Sequence, residues 1–163
     1  MKIFDRLKNL AKRLFQSREE ISPIEKEKIK EIKEKERKKT VGDYLRYEEE
    51  DLYNTLKEVG EYYSKTGDKG LRDIFERLLF AALFREGGIY GIGGRIYLDN
   101  GILENILKKS GVKDLENSKK EWKKRITDRI VDIYVAGDIY IARLWQLIAY
   151  SHEVRGKKGL KSY

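Results

Sequence analysis

Ile3, Phe4, Leu7, Leu10, Ala11, Leu14 and Phe15 recur at helical spacing, with Lys2, Arg6, Lys8, Lys12 and Arg13 filling the intervening positions. This pattern predicts an amphipathic helix over 2–16, one face apolar and the other basic. Ser22-Pro23-Ile24-Glu25 then combines an N-cap serine, a proline at the first helical position and a glutamate placed for a capping box, so a second helix is predicted over 23–39. Its large apolar residues are only Ile24, Ile29 and Ile32. That is too few for a buried stripe, and the helix is expected to stand in water, supported by i,i+4 pairs Glu31 to Lys35 and Glu34 to Lys38. Lys26, Lys30, Lys33 and Arg37 fall on one of its faces, while Glu27, Glu31 and Glu34 lie on a neighbouring one.

Beyond residue 40 the apolar spacing tightens. Leu45, Leu52, Leu56, Val59 and Tyr63 predict a helix over 43–64, closed by the Thr66-Gly67-Asp68-Lys69-Gly70 turn. The following helix, 71–85, contains Leu78-Leu79-Phe80-Ala81-Ala82-Leu83-Phe84 and is apolar on nearly all sides, so it belongs at the centre of a bundle. Gly87 and Gly88 stop it.

The period changes from 3.6 to 2 over 89–98. Ile89-Tyr90-Gly91-Ile92, Gly93-Gly94 and Arg95-Ile96-Tyr97-Leu98 predict a hairpin with a two-residue turn. In that register Ile89 faces Leu98, Gly91 faces Ile96, and Tyr90 pairs with Tyr97 on the opposite surface. Asp99-Asn100-Gly101 opens a short helix that runs to Ser110. Two long helices complete the pattern, one with the stripe Trp122, Ile126, Ile130, Ile133 and Tyr134, the other with Ile141, Leu144, Trp145 and Ile148, divided at Gly137-Asp138. The expected fold is all-α: a two-helix basic arm (1–40), a bundle of about four main helices with one small β-hairpin (41–154), and a basic tail (155–163).

Composition sharpens this picture. The chain has 163 residues, no cysteine and one histidine, His152, which excludes disulfides, iron–sulfur clusters and Cys/His zinc sites. Charged residues make up 39%, a balance that resembles hyperthermophile proteins. Residues 1–40 hold 14 Lys/Arg against 8 Asp/Glu, a net of +6 out of the chain's +8. A basic segment beside a nearly neutral body is the footprint of contact with phosphates. No secretory signal and no run of 18 apolar residues is present, so a soluble intracellular protein is expected.

Several catalytic patterns fail on spacing. The glycines at 87, 88, 91, 93 and 94 complete neither phosphate-loop signature and follow a helix, not a strand. Asp128 and Asp132, with Asp138, have the types for a magnesium site, but Arg125 and Arg129 beside them suit solvated helix-face acids better. Ser151-His152-Glu153 are consecutive on a helix and point apart, so they cannot form a relay. No catalytic residue, metal ligand or cofactor is therefore expected, and the chain reads as a non-enzyme. Tyr90, Tyr97 and Arg95 form a base-stacking candidate, whereas Tyr53, Tyr63 and Tyr134 sit on apolar stripes. A winged-helix reading fails because 71–84 has no polar face to present to base edges. The 2–16 helix also suits an anionic membrane surface.

In layout, charge and size the chain resembles the major coat proteins of archaeal filamentous viruses, the lipothrixvirus and rudivirus group. The matching pieces are the 2–15 helix, the Ser22-Pro23 break, the 23–39 helix and the bundle after Val41. The resemblance implies a nucleocapsid subunit that wraps linear double-stranded DNA with a basic helix-turn-helix arm, pairs with itself or a paralogous subunit in a filament, and resides in the virion and the host cytoplasm. The DNA-contacting residues would be Lys2, Arg6, Lys8, Lys12, Arg13, Lys26, Lys30, Lys33 and Arg37. The eight acidic residues of the arm depart from that pattern, and Glu27, Glu31 and Glu34 would have to face away from phosphate. The alternative is a small helical adaptor or regulator-like protein whose charged arm binds a protein partner. Either way the arm is expected to be mobile in the free protein, since helices of about 12–15 residues are marginal alone.

Overall fold

The computed structural model describes residue 3, residues 21–92 and residues 95–135. Six helices and one two-stranded antiparallel hairpin make up these residues. Apart from residue 3, the 2–16 helix lies outside them, as do the second long helix with its Gly137-Asp138 break and the 155–163 tail.

Helix α1 (Pro23–Glu36) starts as its capping box dictates: the Ser22 hydroxyl accepts from the Glu25 amide at 3.1 Å, and the Ser22 amide donates to the Glu25 carboxylate at 3.4 Å. A second box follows at once. Thr40 Oγ1 accepts from the Asp43 amide and the Thr40 amide donates to Asp43 Oδ2, starting the short helix α2 (Val41–Leu45). The helix expected over 43–64 is thus two helices, α2 and α3 (Glu49–Thr66). The break lies at residues 46–48, where the Tyr47 carbonyl accepts a hydrogen bond from the Arg85 guanidinium instead of continuing a helical ladder. This turn sinks Tyr44 and Leu45 completely into the core.

Helix α4 (Lys69–Glu86) is capped by Asp68, whose carboxylate accepts from the Leu71 amide at 3.0 Å, and ends at Gly87 in the left-handed region. Eleven of its residues are buried, including every one from Leu78 to Arg85. It is the central helix expected, touching α1, α2 and α3 as well as strand β1 (Ile89–Ile92) and helix α5 (Asn100–Lys108). Strand β2 (Arg95–Leu98) pairs with β1 in the anticipated register, Ile89 with Leu98, Tyr90 with Tyr97 and Gly91 with Ile96.

Helix α6 (Leu115–Val135) packs on α5 and buries Trp122, Ile126 and Ile130. Trp122 meets Phe75 of α4 with ring centroids 4.8 Å apart and Tyr63 of α3 edge-on at 5.9 Å, so one indole ties three helices together. Gly60 of α3 allows the chain after α5 to lie against it: a Cβ there would stand 2.0 Å from the Ser110 carbonyl oxygen.

Candidate nucleic-acid interface

The basic face of α1 is positioned by a dock. Ile29 is buried and Ile32 half-buried against the core, leaving Ile24 as the exposed one of the three isoleucines. Polar contacts fasten the helix along its length. Glu25 accepts from Lys65 of α3 at 3.0 Å, Lys33 donates to Asp68 at 3.0 Å, and the Arg77 guanidinium reaches the Glu36 and Arg37 carbonyls at 3.4 and 3.2 Å. At the same end the buried Glu36 carboxylate accepts from the Tyr44 hydroxyl at 3.0 Å and pairs with Lys39 at 3.2 Å. The expectation that 23–39 stands in water is therefore corrected. Two apolar residues suffice because long-range ion pairs and a guanidinium at the helix C-terminus supply the rest, and the division drawn at residue 40 falls between two helices that both pack on α4. The supporting pairs expected along the helix, Glu31 with Lys35 and Glu34 with Lys38, do not form among the described residues; such exposed pairs gain too little to fix two long side chains.

Docking turns the stripe into one wall of a groove of about 450 Å³ between α1 and the start of α4. Lys26, Lys30, Lys33 and Arg37 line it together, as the sequence spacing requires, with Ile29, Gly70 and Ile74 below them. Glu34 lines it too. The expectation that this acid faces elsewhere is corrected, because Glu34 follows Lys30 by four residues and Lys33 by one and is carried onto the same side. Lys26, Lys30 and Arg37 are exposed, and no carboxylate pairs with them among the described residues. Lys33 is the exception, held by Asp68.

The charges around the dock respond to it. Lys65 and the Ser22 amide hold the Glu25 carboxyl below its ordinary value. At Asp68, burial pushes upward, yet the Leu71 amide and Lys33 outweigh it and the carboxyl titrates below its usual range. At Lys39, burial pulls down while the Tyr47 hydroxyl and Glu36 prevail and raise it.

Five of the nine basic candidates, Lys2, Arg6, Lys8, Lys12 and Arg13, lie outside the described residues. The stacking candidate is only half assembled: Tyr90 and Tyr97 stack on each other, 5.6 Å apart, with Tyr97 and Ile92 exposed on the same face, and the Arg95 side chain lies outside the description. Tyr53 and Tyr63 pack as their stripes predicted, donating to Glu86 and Glu121. Helix α4 is not apolar on all sides as expected: Arg72, Asp73, Glu76 and Arg77 give its first half a polar face, where Arg77 holds the end of α1 and Glu76 pairs with Arg125 at 3.2 Å, and burial on every side begins only at Leu78.

Sequence reasoning missed Gly70 and Ile74 as parts of the groove and Asp68 as the partner of Lys33 beside it. Only the cap role of Asp68 has a local signal, since it stands three residues before the predicted helix. It also passed over Lys120, Lys123 and Lys124, exposed on α6, whose clustering in Lys119-Lys120-Glu121-Trp122-Lys123-Lys124 was visible. Of the proposed magnesium acids, Asp128 is exposed on α6, and Asp138 lies outside the described residues together with His152. No described helix is long and apolar enough to cross a membrane. No known protein family, curated protein or solved structure matches the chain.

Proposed function

We propose that this chain is a non-enzymatic structural protein that coats double-stranded DNA independently of sequence, most concretely a major coat or nucleocapsid subunit of an archaeal filamentous virus. The observation that supports it best is the row Lys26, Lys30, Lys33 and Arg37 along one side of a docked helix. Successive members rise by about 4.5 to 6 Å along the helix axis, so the row presents a line of positive charge suited to successive phosphates. In this reading Lys2, Arg6, Lys8, Lys12 and Arg13 add a second basic face, and the apolar face of 2–16 is covered by neighbouring copies or a paralogous subunit, giving assembly a physical cause. The assembled form would be the virion, with free subunits in the host cytoplasm.

The test is binding to duplex DNA across a salt series, with each mixture imaged for filaments. The native chain is expected to bind steeply salt-dependently and to form filaments whose length follows that of the DNA. Replacing Lys26, Lys30 and Arg37 by glutamate is expected to flatten the slope by about 3, near one unit for each lost phosphate contact. Unchanged binding by that variant would overturn the reading.

A further inference from the structure

We propose that copies of this chain join head to tail, the lysine face of α6 in one copy seating on an acidic cleft at the start of α3 in the next. Lys120 and Lys124 stand one turn apart on α6, with Lys123 beside them, and all three are exposed. None pairs with a carboxylate among the described residues. The acids nearest in sequence are engaged elsewhere, Glu116 with Lys119 at 3.6 Å and Glu121 with the Tyr63 hydroxyl. Asp128, one turn beyond Lys124, leaves the face a net charge of +2.

The complement lies at the start of α3. A cleft of about 460 Å³ is lined there by Lys35, Arg46, Glu48, Asp51 and Asn54. Glu49 and Glu50 complete the acidic run, and against Lys35 and Arg46 it keeps a net charge of −2. The Asp51 carboxylate and the Asn54 amide have no side-chain partner among the described residues, so both are open to an incoming ammonium group. Acids also suit the first turn of a helix, but that role asks for neither a cleft nor a matching lysine face.

Position then decides how the two surfaces meet. Tyr63, which holds Glu121 of α6, follows Asp51 by 12 residues, about 18 Å along α3. The lysine face is thus too far from the cleft of its own chain and reaches only that of another copy. A contact between two different surfaces is heterologous and repeats, giving an open chain unless the rotation closes a ring. Lys35 follows Lys33 by two residues, about 200° around α1. The cleft therefore opens on the side of α1 away from the basic row, and DNA and the next copy do not compete. Such a contact is weak alone, and a duplex that lines up the copies strengthens it by raising their effective concentration.

The inference needs no DNA, so it is tested apart from the coating function, by sedimentation of the full chain without nucleic acid. The mean mass is expected to rise with concentration past that of a dimer in about 50 mM salt and to return to monomer near about 500 mM. Lys120→Glu, Lys123→Glu and Lys124→Glu together, or Glu48→Lys with Asp51→Lys, should weaken association at least about tenfold. An equimolar mixture of these two variants should recover it, because each supplies the charge the other has lost, and recovery shows that both are folded. Glutamate at Lys26, Lys30 and Arg37 should leave association as in the native chain. A native chain that stays monomeric, growth that stops at a dimer, or indifference to both charge reversals would overturn the proposal. Association of this kind in a chain that ignores duplex DNA would instead remove the coating function and leave this contact standing.

Discussion

Lys33 Nζ lies 3.0 Å from Asp68 Oδ2, joining α1 to the cap of α4 across 35 residues of chain. Both side chains keep about a third of their surface in water, so the pair itself adds little stability. Its larger effect is on the basic row, where it makes one of four cations share its charge with a carboxylate.

Asp68→Ser retains an oxygen to accept from the Leu71 amide and removes the negative charge. Stability should change by less than about 1 kcal/mol. Lys33 is then released, and the slope of duplex affinity against salt should steepen by about one unit. An unaltered slope would mean that Lys33 makes no phosphate contact.

The dock also dictates an acid response. Glu25 and Asp68 are both held below their ordinary values, so the stability they contribute is fully present above the unfolded carboxylate range, about 3.9 to 4.3, and is lost as pH falls through their lower folded values. Thermal midpoints of the native chain and of a Glu25→Gln, Asp68→Ser variant should differ by a constant amount from pH 7 to about 5 and converge below about 4. A gap that widens in acid would contradict this assignment.

Ile29→Ala removes most of the apolar anchor of α1. A loss of about 2 kcal/mol is expected, at the low end for a buried isoleucine because Ile29 sits at the margin of the core. Hydrogen exchange should show the amides of α1 opening faster while those of α4 keep their protection. Equal acceleration in both helices would mean that α1 does not open as a separate unit.

Two glycines make a controlled comparison. At Gly60 an added methyl meets the Ser110 carbonyl, rigid backbone that cannot step aside, and Gly60→Ala should cost about 3 kcal/mol. At Gly42 the nearest atom is Thr40 Oγ1 at 3.6 Å, an ordinary contact, so Gly42→Ala should gain about 0.5 kcal/mol. Urea unfolding of the two variants measures both.

What the sequence reveals follows the range of each interaction. Ser22, Pro23 and Glu25 announce α1 because a capping box closes within four residues, and the hairpin register follows from an alternation only ten residues long. The continuous burial of α4 from Leu78 to Phe84 is legible because that stretch is apolar on every side. The dock of α1 is hidden because Lys33 meets Asp68, Glu25 meets Lys65 and Arg77 meets the carbonyl of Arg37, each across 35 to 40 residues. The break at residues 46–48 is hidden for the same reason, since Arg85 holds Tyr47 from 38 residues away. The row Lys26, Lys30, Lys33 and Arg37 was visible as a helical face, but the groove beneath it was not, because Gly70 and Ile74 carry no chemistry that marks them in isolation.

The same separation orders events during synthesis. Helix α1 leaves the ribosome before α4, and its seat on α4 follows about 35 residues later, roughly 2 to 7 seconds at ordinary elongation rates. Throughout that interval the lysines of α1 emerge beside ribosomal RNA with no carboxylate of α4 to restrain them. A nascent chain of this design must finish its central helix before its basic face acquires a fixed shape, so completion of α4 acts as the clock for maturation of the surface.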